Sequence, residues 1–140
     1  MIRRAFVRLA VAAALSLPFA ACGGDGGTGL QSELSGTYTL RTVNGQPLPF
    51  VAYQDATDKI ELLGDEFQFS ADSFTESADV RYTERGVVTT DTFEDSGRYT
   101  LDGNALTVTY DSDGSSLTGA VNGNTFTLAG DGIVFLYRKQ

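Results

Sequence analysis

Few side chains in this 140-residue sequence could carry out chemistry, and none has the neighbours that catalysis usually needs. Histidine is absent and there is a single cysteine, which excludes an imidazole base, a histidine-bound metal and an internal disulfide. Serine, threonine, tyrosine, lysine and carboxylates remain, but no Gly-x-Ser-x-Gly or Ser-x-x-Lys motif places a nucleophile beside a base. A carboxylate pair acting on a glycoside is the remaining option, and a domain this small has little room for a substrate groove. We therefore expect no enzymatic activity, no metal site and no cofactor.

The single cysteine, Cys22, directly follows a segment typical of export. Three arginines within the first eight residues precede an uncharged run over residues 9–21, which is shorter than the 20 or so residues of a transmembrane helix. The sequence Phe19-Ala20-Ala21 before Cys22 resembles the lipobox of bacterial lipoproteins, although leucine is usual where Phe19 stands. Since a free thiol would have no partner in an oxidising compartment, we predict a signal peptide over residues 1–21 and a lipid on Cys22. A secretory peptide cleaved after Ala21 is the alternative.

The residues after the cysteine predict how the protein is held at the membrane. An aspartate directly after the lipidated cysteine often retains such lipoproteins in the inner membrane, and this position is Gly23. We therefore expect an exported protein of the cell envelope, anchored in the outer membrane and facing the periplasm. Residues 22–35 are rich in glycine and predict a flexible tether that spans roughly 20 Å. The folded domain is expected over residues 36–140.

The mature chain is strongly acidic. Removing residues 1–21 leaves seven basic and eighteen acidic side chains, a net charge of about −11. This charge excludes nucleic acid, whose phosphates need a basic face, and excludes adhesion to anionic lipid through charge. A basic envelope protein is the partner that such a surface would attract, and simple solubility is the alternative interpretation. The carboxylates expected near turns on the outer surface are Glu61, Asp65, Glu66, Asp91, Glu94, Asp95, Asp111 and Asp113.

From Gly36 onwards, polar and apolar residues alternate, which is typical of strands with one buried face. Turn sequences such as Asn44-Gly45 and Asn122-Gly123-Asn124 interrupt the pattern about every ten residues and favour tight hairpins. We expect an all-β domain of eight to ten antiparallel strands, closed into a small up-and-down barrel, with a β-sandwich as the alternative. A hairpin turn is expected at Gly64-Asp65, and the longest strand over Ser73 to Glu84.

Five segments of the chain share a pattern with a known family: Gly36-Thr37-Tyr38-Thr39-Leu40, Val43-Asn44-Gly45, Leu48-Pro49, Ser96 to Val108, and Phe135-Leu136-Tyr137-Arg138-Lys139. Together they resemble the lipocalin-like lipoproteins of environmental bacteria, which are related in shape to calycin barrels. The resemblance spans nearly the whole mature domain and implies a small barrel without catalysis. The Gly-x-Trp signature of lipocalins is missing, because the chain has no tryptophan.

Aromatic side chains and one carboxylate are the candidate ligand-binding residues. Inside a closed barrel the aromatics would converge, either as a packed core or as the lining of a cavity for a small apolar ligand. Glu76 falls on the apolar face of its strand, so we expect it at the rim, turned out by a bulge, or in a polar contact within a pocket. The candidates are Tyr38, Phe67, Phe69, Phe74, Glu76, Tyr82, Tyr99, Tyr110, Phe126 and Phe135.

Two acidic segments are interpreted as surface loops. Asp111-Ser112-Asp113-Gly114-Ser115 resembles the start of a calcium loop, but Asn122 occupies the twelfth position, where a bidentate acid is needed. A hairpin turn is therefore favoured there. Asp91, Glu94 and Asp95 are interpreted as a solvated loop.

Two functions agree with these features. The first is a lipid-anchored barrel that holds a small apolar or amphipathic molecule between its strands. The second is an envelope interaction protein, an inhibitor, chaperone or assembly factor, that acts through its acidic outer surface. The volume inside the barrel distinguishes the two.

Overall fold

A computed structural model describes residues 34–140, which form an all-β domain. The predicted signal peptide, Cys22 and most of the predicted tether lie outside the described residues. The ten strands are β1 (Gly36–Val43), β2 (Gln46–Pro47), β3 (Phe50–Gln54), β4 (Asp58–Ser70), β5 (Ser73–Glu84), β6 (Val87–Asp102), β7 (Ala105–Tyr110), β8 (Ser116–Asn122), β9 (Thr125–Gly130) and β10 (Ile133–Lys139).

Eight of these strands close into an antiparallel up-and-down barrel. From β4 to β10 each strand pairs with the next, β10 pairs with β1, and β1 pairs with β4 to close the ring. The closing register joins Gly36 to Phe69 and Thr39 to Glu66. The short strands β2 and β3 lie outside the ring, on β1 and β4. The predicted barrel is confirmed, the sandwich is excluded, and the closed ring is compatible with a lipocalin-like fold.

Two of the tight hairpin turns contain glycine with a positive φ. Asn44 and Gly45 both have positive φ, 51° and 76°, as the type I′ turn between β1 and β2 requires. Asp131 and Gly132 repeat this geometry between β9 and β10, with φ of 50° and 78°. These turns match the right-handed twist of the strands that they connect, so the sequence predicts them well.

Two local predictions are wrong. No hairpin turn occurs at Gly64-Asp65, because β4 continues through this point with a shift of register between Leu62 and Gly64. The acidic segment around Glu94 is not a loop, because it lies within β6, which has 16 residues and is longer than β5. A bulge adds one residue without ending the strand, so a glycine followed by an acid can continue a strand as well as turn it.

The three long strands continue beyond the barrel. β1 pairs with β4 only over residues 66–69, and β7 pairs with β6 only over residues 97–102. The remaining parts of β4, β5 and β6, together with β3, form a four-stranded sheet that we call the extension. The extension has its own small apolar cluster of Ile60, Val80 and Tyr82, with Leu62 and Phe93 packed against it.

Close packing inside the barrel depends on a glycine in β6. Gly97 is paired with Phe74 on one side and with Tyr110 on the other. A Cβ atom on Gly97 would overlap the carbonyl oxygen of Thr109 and the ring of Phe74. The glycine therefore allows the Phe74 ring to lie against the backbone of β6.

Two absences hold for residues 34–140. In this part of the chain no helix is long and apolar enough to cross a membrane. In the same part no group of three or more histidine, cysteine, aspartate or glutamate side chains is arranged to hold a metal ion.

Candidate functional site

The aromatic candidates do converge inside the barrel, with one exception. Tyr38, Phe67, Phe69, Phe74, Tyr99 and Phe126 belong to the main core, and Tyr110 and Phe135 pack against it while partly buried. Tyr82 is the exception, because it lies in the small cluster of the extension. The barrel fold is compatible with ligand binding, and these residues line its interior.

The main core consists of aromatic rings in mutual contact. The Phe67 ring is fully buried and lies 5.1 to 5.7 Å, centroid to centroid, from the rings of Phe69, Phe74, Phe126 and Tyr137. Phe126 and Tyr137 are stacked at 4.6 Å. Edge-to-face and offset stacking at these distances are the favoured aromatic geometries. In this conformation the rings fill the interior around Phe67.

Two carboxyl groups face the same interior, just beyond the rings. Asp65 on β4 is buried, and its Oδ2 accepts a hydrogen bond from the Tyr137 hydroxyl at 2.7 Å. Glu76 on β5 is paired with Phe67 and faces inwards, where it interacts with Asp65 and with the hydroxyl of Tyr110. Of the three positions expected for Glu76, the polar contact inside the barrel is the one found.

Burial raises the pKa of both carboxyl groups in this pair. Burial, followed by the nearby charge of Asp65, raises the pKa of Glu76 to about 9. Burial raises the pKa of Asp65 to about 6, although the hydrogen bond from Tyr137 acts in the opposite direction. The Oδ1 atom of Asp65 is buried without a hydrogen-bond partner, and a proton held by Glu76 allows Glu76 to donate a hydrogen bond to the Asp65 carboxylate. At neutral pH the pair therefore shares a proton.

An acidic groove of about 720 Å³ lies where the barrel meets the extension. Two rows of paired residues contribute to its lining, Glu66 with Ser77 and Glu94, and Gln68 with Thr75 and Ser96. The row between them, Glu76 with Asp95, alternates to the opposite face of the strands, towards the barrel interior. Antiparallel pairing places each row on one face of the sheet, which brings side chains from three strands together. The lining residues are Glu66, Gln68, Thr75, Glu76, Ser77, Glu94, Asp95, Ser96, Asp111 and Ser112. Five of the ten are acidic and none is basic.

Hydrogen bonds fix the wall of the groove at the end of β7. The backbone N–H of Asp111 donates to the carbonyl of Ser96 at 2.9 Å, and the hydroxyl of Ser112 donates to Oδ2 of Asp95 at 2.7 Å. The Oδ1 atom of Asp95 accepts the backbone N–H of Ser96 at 2.8 Å. The Asp111 to Ser115 turn, expected from the sequence as a hairpin connection, thus forms one side of the groove.

The two basic side chains of β4 and β5 in the extension are already paired. Glu61 lies 2.7 Å from both Lys59 Nζ and Arg81 Nε, and hydrogen bonds from Arg81 and Lys59 lower the pKa of this carboxyl to about 2. Glu61 and Asp65 are buried, so their prediction as outer-surface charges is wrong. Lys59 and Arg81 therefore do not neutralise the acids of the groove.

A second, smaller pocket lies at the end of the barrel where the described chain begins. It has a volume of about 490 Å³ and includes Leu34, Tyr38 and the turns at Gly103-Asn104 and Gly123-Asn124. Lys139 is the basic residue of this lining, and its Nζ lies 5.8 Å from the centroid of the Tyr38 ring. The two pockets thus differ in charge.

Sequence reasoning identified Glu76 as unusual but missed its partner. The sequence predicts Asp65 on the surface, because it follows Gly64 in a pattern typical of a turn. The bulge at Leu62 to Gly64 changes which β4 side chains face inwards, from Ile60 and Leu62 to Asp65 and Phe67. One signal in the sequence does indicate this position. Asp65 stands two and four residues before Phe67 and Phe69, so on one continuous strand it shares their inward face.

Comparison of the sequence with protein-family models finds no match, and none of the curated proteins is similar enough to be a relative. The geometry of the barrel and of its acidic groove therefore carries the functional argument.

Proposed function

We propose that this protein is a lipid-anchored barrel of the bacterial cell envelope that binds a positively charged partner protein through the acidic groove. The observation that carries the proposal is the groove itself, with five carboxyl groups among ten lining residues and no basic one. Charge of one sign in a concave surface attracts ligands of the opposite sign and speeds their encounter.

The packed core favours this function over binding of an apolar molecule between the strands. The rings around Phe67 are in contact, so an apolar ligand would have to separate them before it could enter. The groove is open without any such rearrangement, and its volume is suited to several side chains of a partner.

Binding of oligolysine tests the proposal. We expect full-length protein in nonionic detergent to bind a fluorescent ten-residue oligolysine, with an affinity that falls at least about fivefold between 50 and 300 mM salt. A combined Glu66→Gln, Glu94→Gln and Asp111→Asn variant should weaken binding at least about tenfold at the lower salt concentration.

A variant with the same charge change elsewhere is the control. Glu84→Gln, Asp102→Asn and Asp131→Asn remove three exposed carboxylates that do not line the groove. This variant should bind oligolysine within about threefold of wild type, because screened charges at a distance act weakly. Equal losses in the two triple variants would show that net charge, and not the groove, controls binding.

The lipid anchor is tested through Cys22. Cys22→Ser should leave an unprocessed precursor and abolish incorporation of radioactive palmitate in a bacterial host, because the thiol is the group that carries the acyl chain. Wild-type protein labelled in parallel is the control. Labelling of the Cys22→Ser protein at the wild-type level would refute lipidation.

A further inference from the structure

Among residues 34–140, nothing pairs with the outer edge of β6 over much of its length. β5 pairs with β6 from Val87 to Arg98, whereas β7 pairs only with residues 97–102. Within residues 34–140, no strand pairs with the opposite edge of β6 between Val87 and Asp95. The register with β5 is continuous over this segment, so no bulge bends the edge away from an approaching chain.

The alternation of the ladder identifies the backbone groups on this edge. Val87 pairs with Glu84 at one hairpin turn of β6, and Asp102 pairs with Ala105 at the other. The residues that flank a two-residue turn exchange backbone hydrogen bonds. The N–H and C=O groups of odd-numbered β6 residues therefore point to β5, and those of even-numbered residues point to the β7 side. The Ser96 carbonyl agrees with this pattern, because it accepts the N–H of Asp111. The residues whose N–H and C=O groups point to the free edge are therefore Val88, Thr90, Thr92 and Glu94.

The side chains beside the edge are acidic or neutral. Residues 87–96 carry Asp91, Glu94 and Asp95 and no basic side chain. Asp79 on β5 adjoins Thr92 and accepts its hydroxyl hydrogen bond at 2.6 Å. The edge leads directly into the acidic groove, where Glu94 and Asp95 belong to the lining.

We propose that the free edge of β6 from Val88 to Glu94 is a strand-addition site for an extended, positively charged segment of the partner protein. The inference rests on the proposed function and specifies how the partner binds. Main-chain hydrogen bonds to the four even-numbered residues provide the affinity, and basic side chains of the added strand meet the carboxylates of the edge and of the groove.

The charges also exclude a second copy of this chain as the occupant. Two β6 edges paired with each other would place two acidic segments on neighbouring strands, each with Asp91, Glu94 and Asp95 and no basic side chain. Like charges on neighbouring strands are destabilising, whereas lysine or arginine in the added strand is stabilised by the same carboxylates. A basic extended segment is therefore the occupant that the edge selects.

A peptide of ten residues in which lysine and valine alternate is the probe for this site. Full-length protein in nonionic detergent should bind the peptide, and Thr90→Pro should weaken binding about tenfold or more, because proline removes a free-edge N–H and obstructs pairing. Thr90→Ala is the matched control and should bind within about twofold of wild type, since it changes the side chain but keeps the backbone donor. Binding of the Thr90→Pro protein at wild-type affinity would overturn strand addition.

Amide hydrogen exchange provides a readout that needs no variant. In the free wild-type protein the amides of Val88, Thr90, Thr92 and Glu94 should exchange rapidly, and the lysine-valine peptide should slow them at least about tenfold. The amides of the odd-numbered residues, which already pair with β5, serve as the internal control. If the peptide binds while the four edge amides keep their rapid exchange, strand addition is wrong.

The outcomes separate this inference from the proposed function. Salt-dependent oligolysine binding that needs the groove carboxylates, together with normal peptide binding by Thr90→Pro, would keep the function and overturn strand addition. No binding of either peptide to wild-type protein would overturn both. A concentration-dependent dimer that Thr90→Pro abolishes would assign the edge to a second copy and also overturn the inference.

Discussion

Phe67→Ala should lower the free energy of unfolding by about 3–5 kcal/mol, as expected for removing a buried ring from a packed core. Phe67 is fully buried and contacts four other rings, so its removal leaves a cavity that rigid neighbours cannot fill. Domains of this size commonly have a stability of only 5–15 kcal/mol, and the variant would approach the limit of folding at 37 °C. Urea unfolding followed by circular dichroism measures the loss.

Phe93→Ala is the control for this substitution. Phe93 packs against the small cluster of the extension and is only partly buried, so its removal should cost about 1–2 kcal/mol. An equal or smaller loss for Phe67→Ala than for Phe93→Ala would contradict the packed interior. That result would indicate a hollow barrel and favour an apolar ligand between the strands.

Glu76→Gln should stabilise the protein at pH 8 by about 1–3 kcal/mol and leave its stability unchanged near pH 4. The pKa of Glu76 is raised from 4.5 to about 9 by burial and by Asp65. Between these values the folded protein keeps a proton that the unfolded chain has released, so the free energy of unfolding falls as the pH rises. Asp65 adds a change of the same sign between its ordinary pKa of 3.8 and about 6.

Glutamine removes this dependence because its amide resembles the protonated carboxyl in shape and hydrogen bonding. The measurement is the free energy of unfolding of both proteins at intervals from pH 4 to pH 9. Glu66→Gln is the matched control, since Glu66 is exposed on the neighbouring strand and should leave the slope with pH nearly unchanged. A Glu76→Gln protein that is less stable than wild type at pH 8 would show that the ionised carboxylate is the stabilising form.

The acid pair and the groove share one residue. Glu76 lines the groove on one side and interacts with Asp65 in the barrel on the other. At neutral pH the protonated Glu76 therefore contributes hydrogen-bonding capacity to the groove but no charge. The negative charge of the groove comes from the four other acidic side chains in its lining. The charge available to a basic partner is set by Glu66, Glu94, Asp95 and Asp111.

Much of the barrel could be predicted from the sequence because its signals are local. Alternation of polar and apolar residues defines strands over a few positions, and turns such as Asn44-Gly45 require positive φ values that few residues adopt at low cost. A series of short hairpins leaves each strand beside the next, which favours an up-and-down barrel. Most of the aromatic residues expected inside are found there for the same reason.

The positions of most strands and turns, the inward aromatic faces and the acidity of the surface thus follow from residue order alone. Three features follow instead from the folded sheet. β6 continues through Glu94, the β4 bulge turns Asp65 inwards beside Glu76, and β7 leaves one edge of β6 free. These features depend on register and strand length across the sheet. They arise because residues far apart in the chain must pair and close a ring, and local residue preferences carry no information about where that pairing ends.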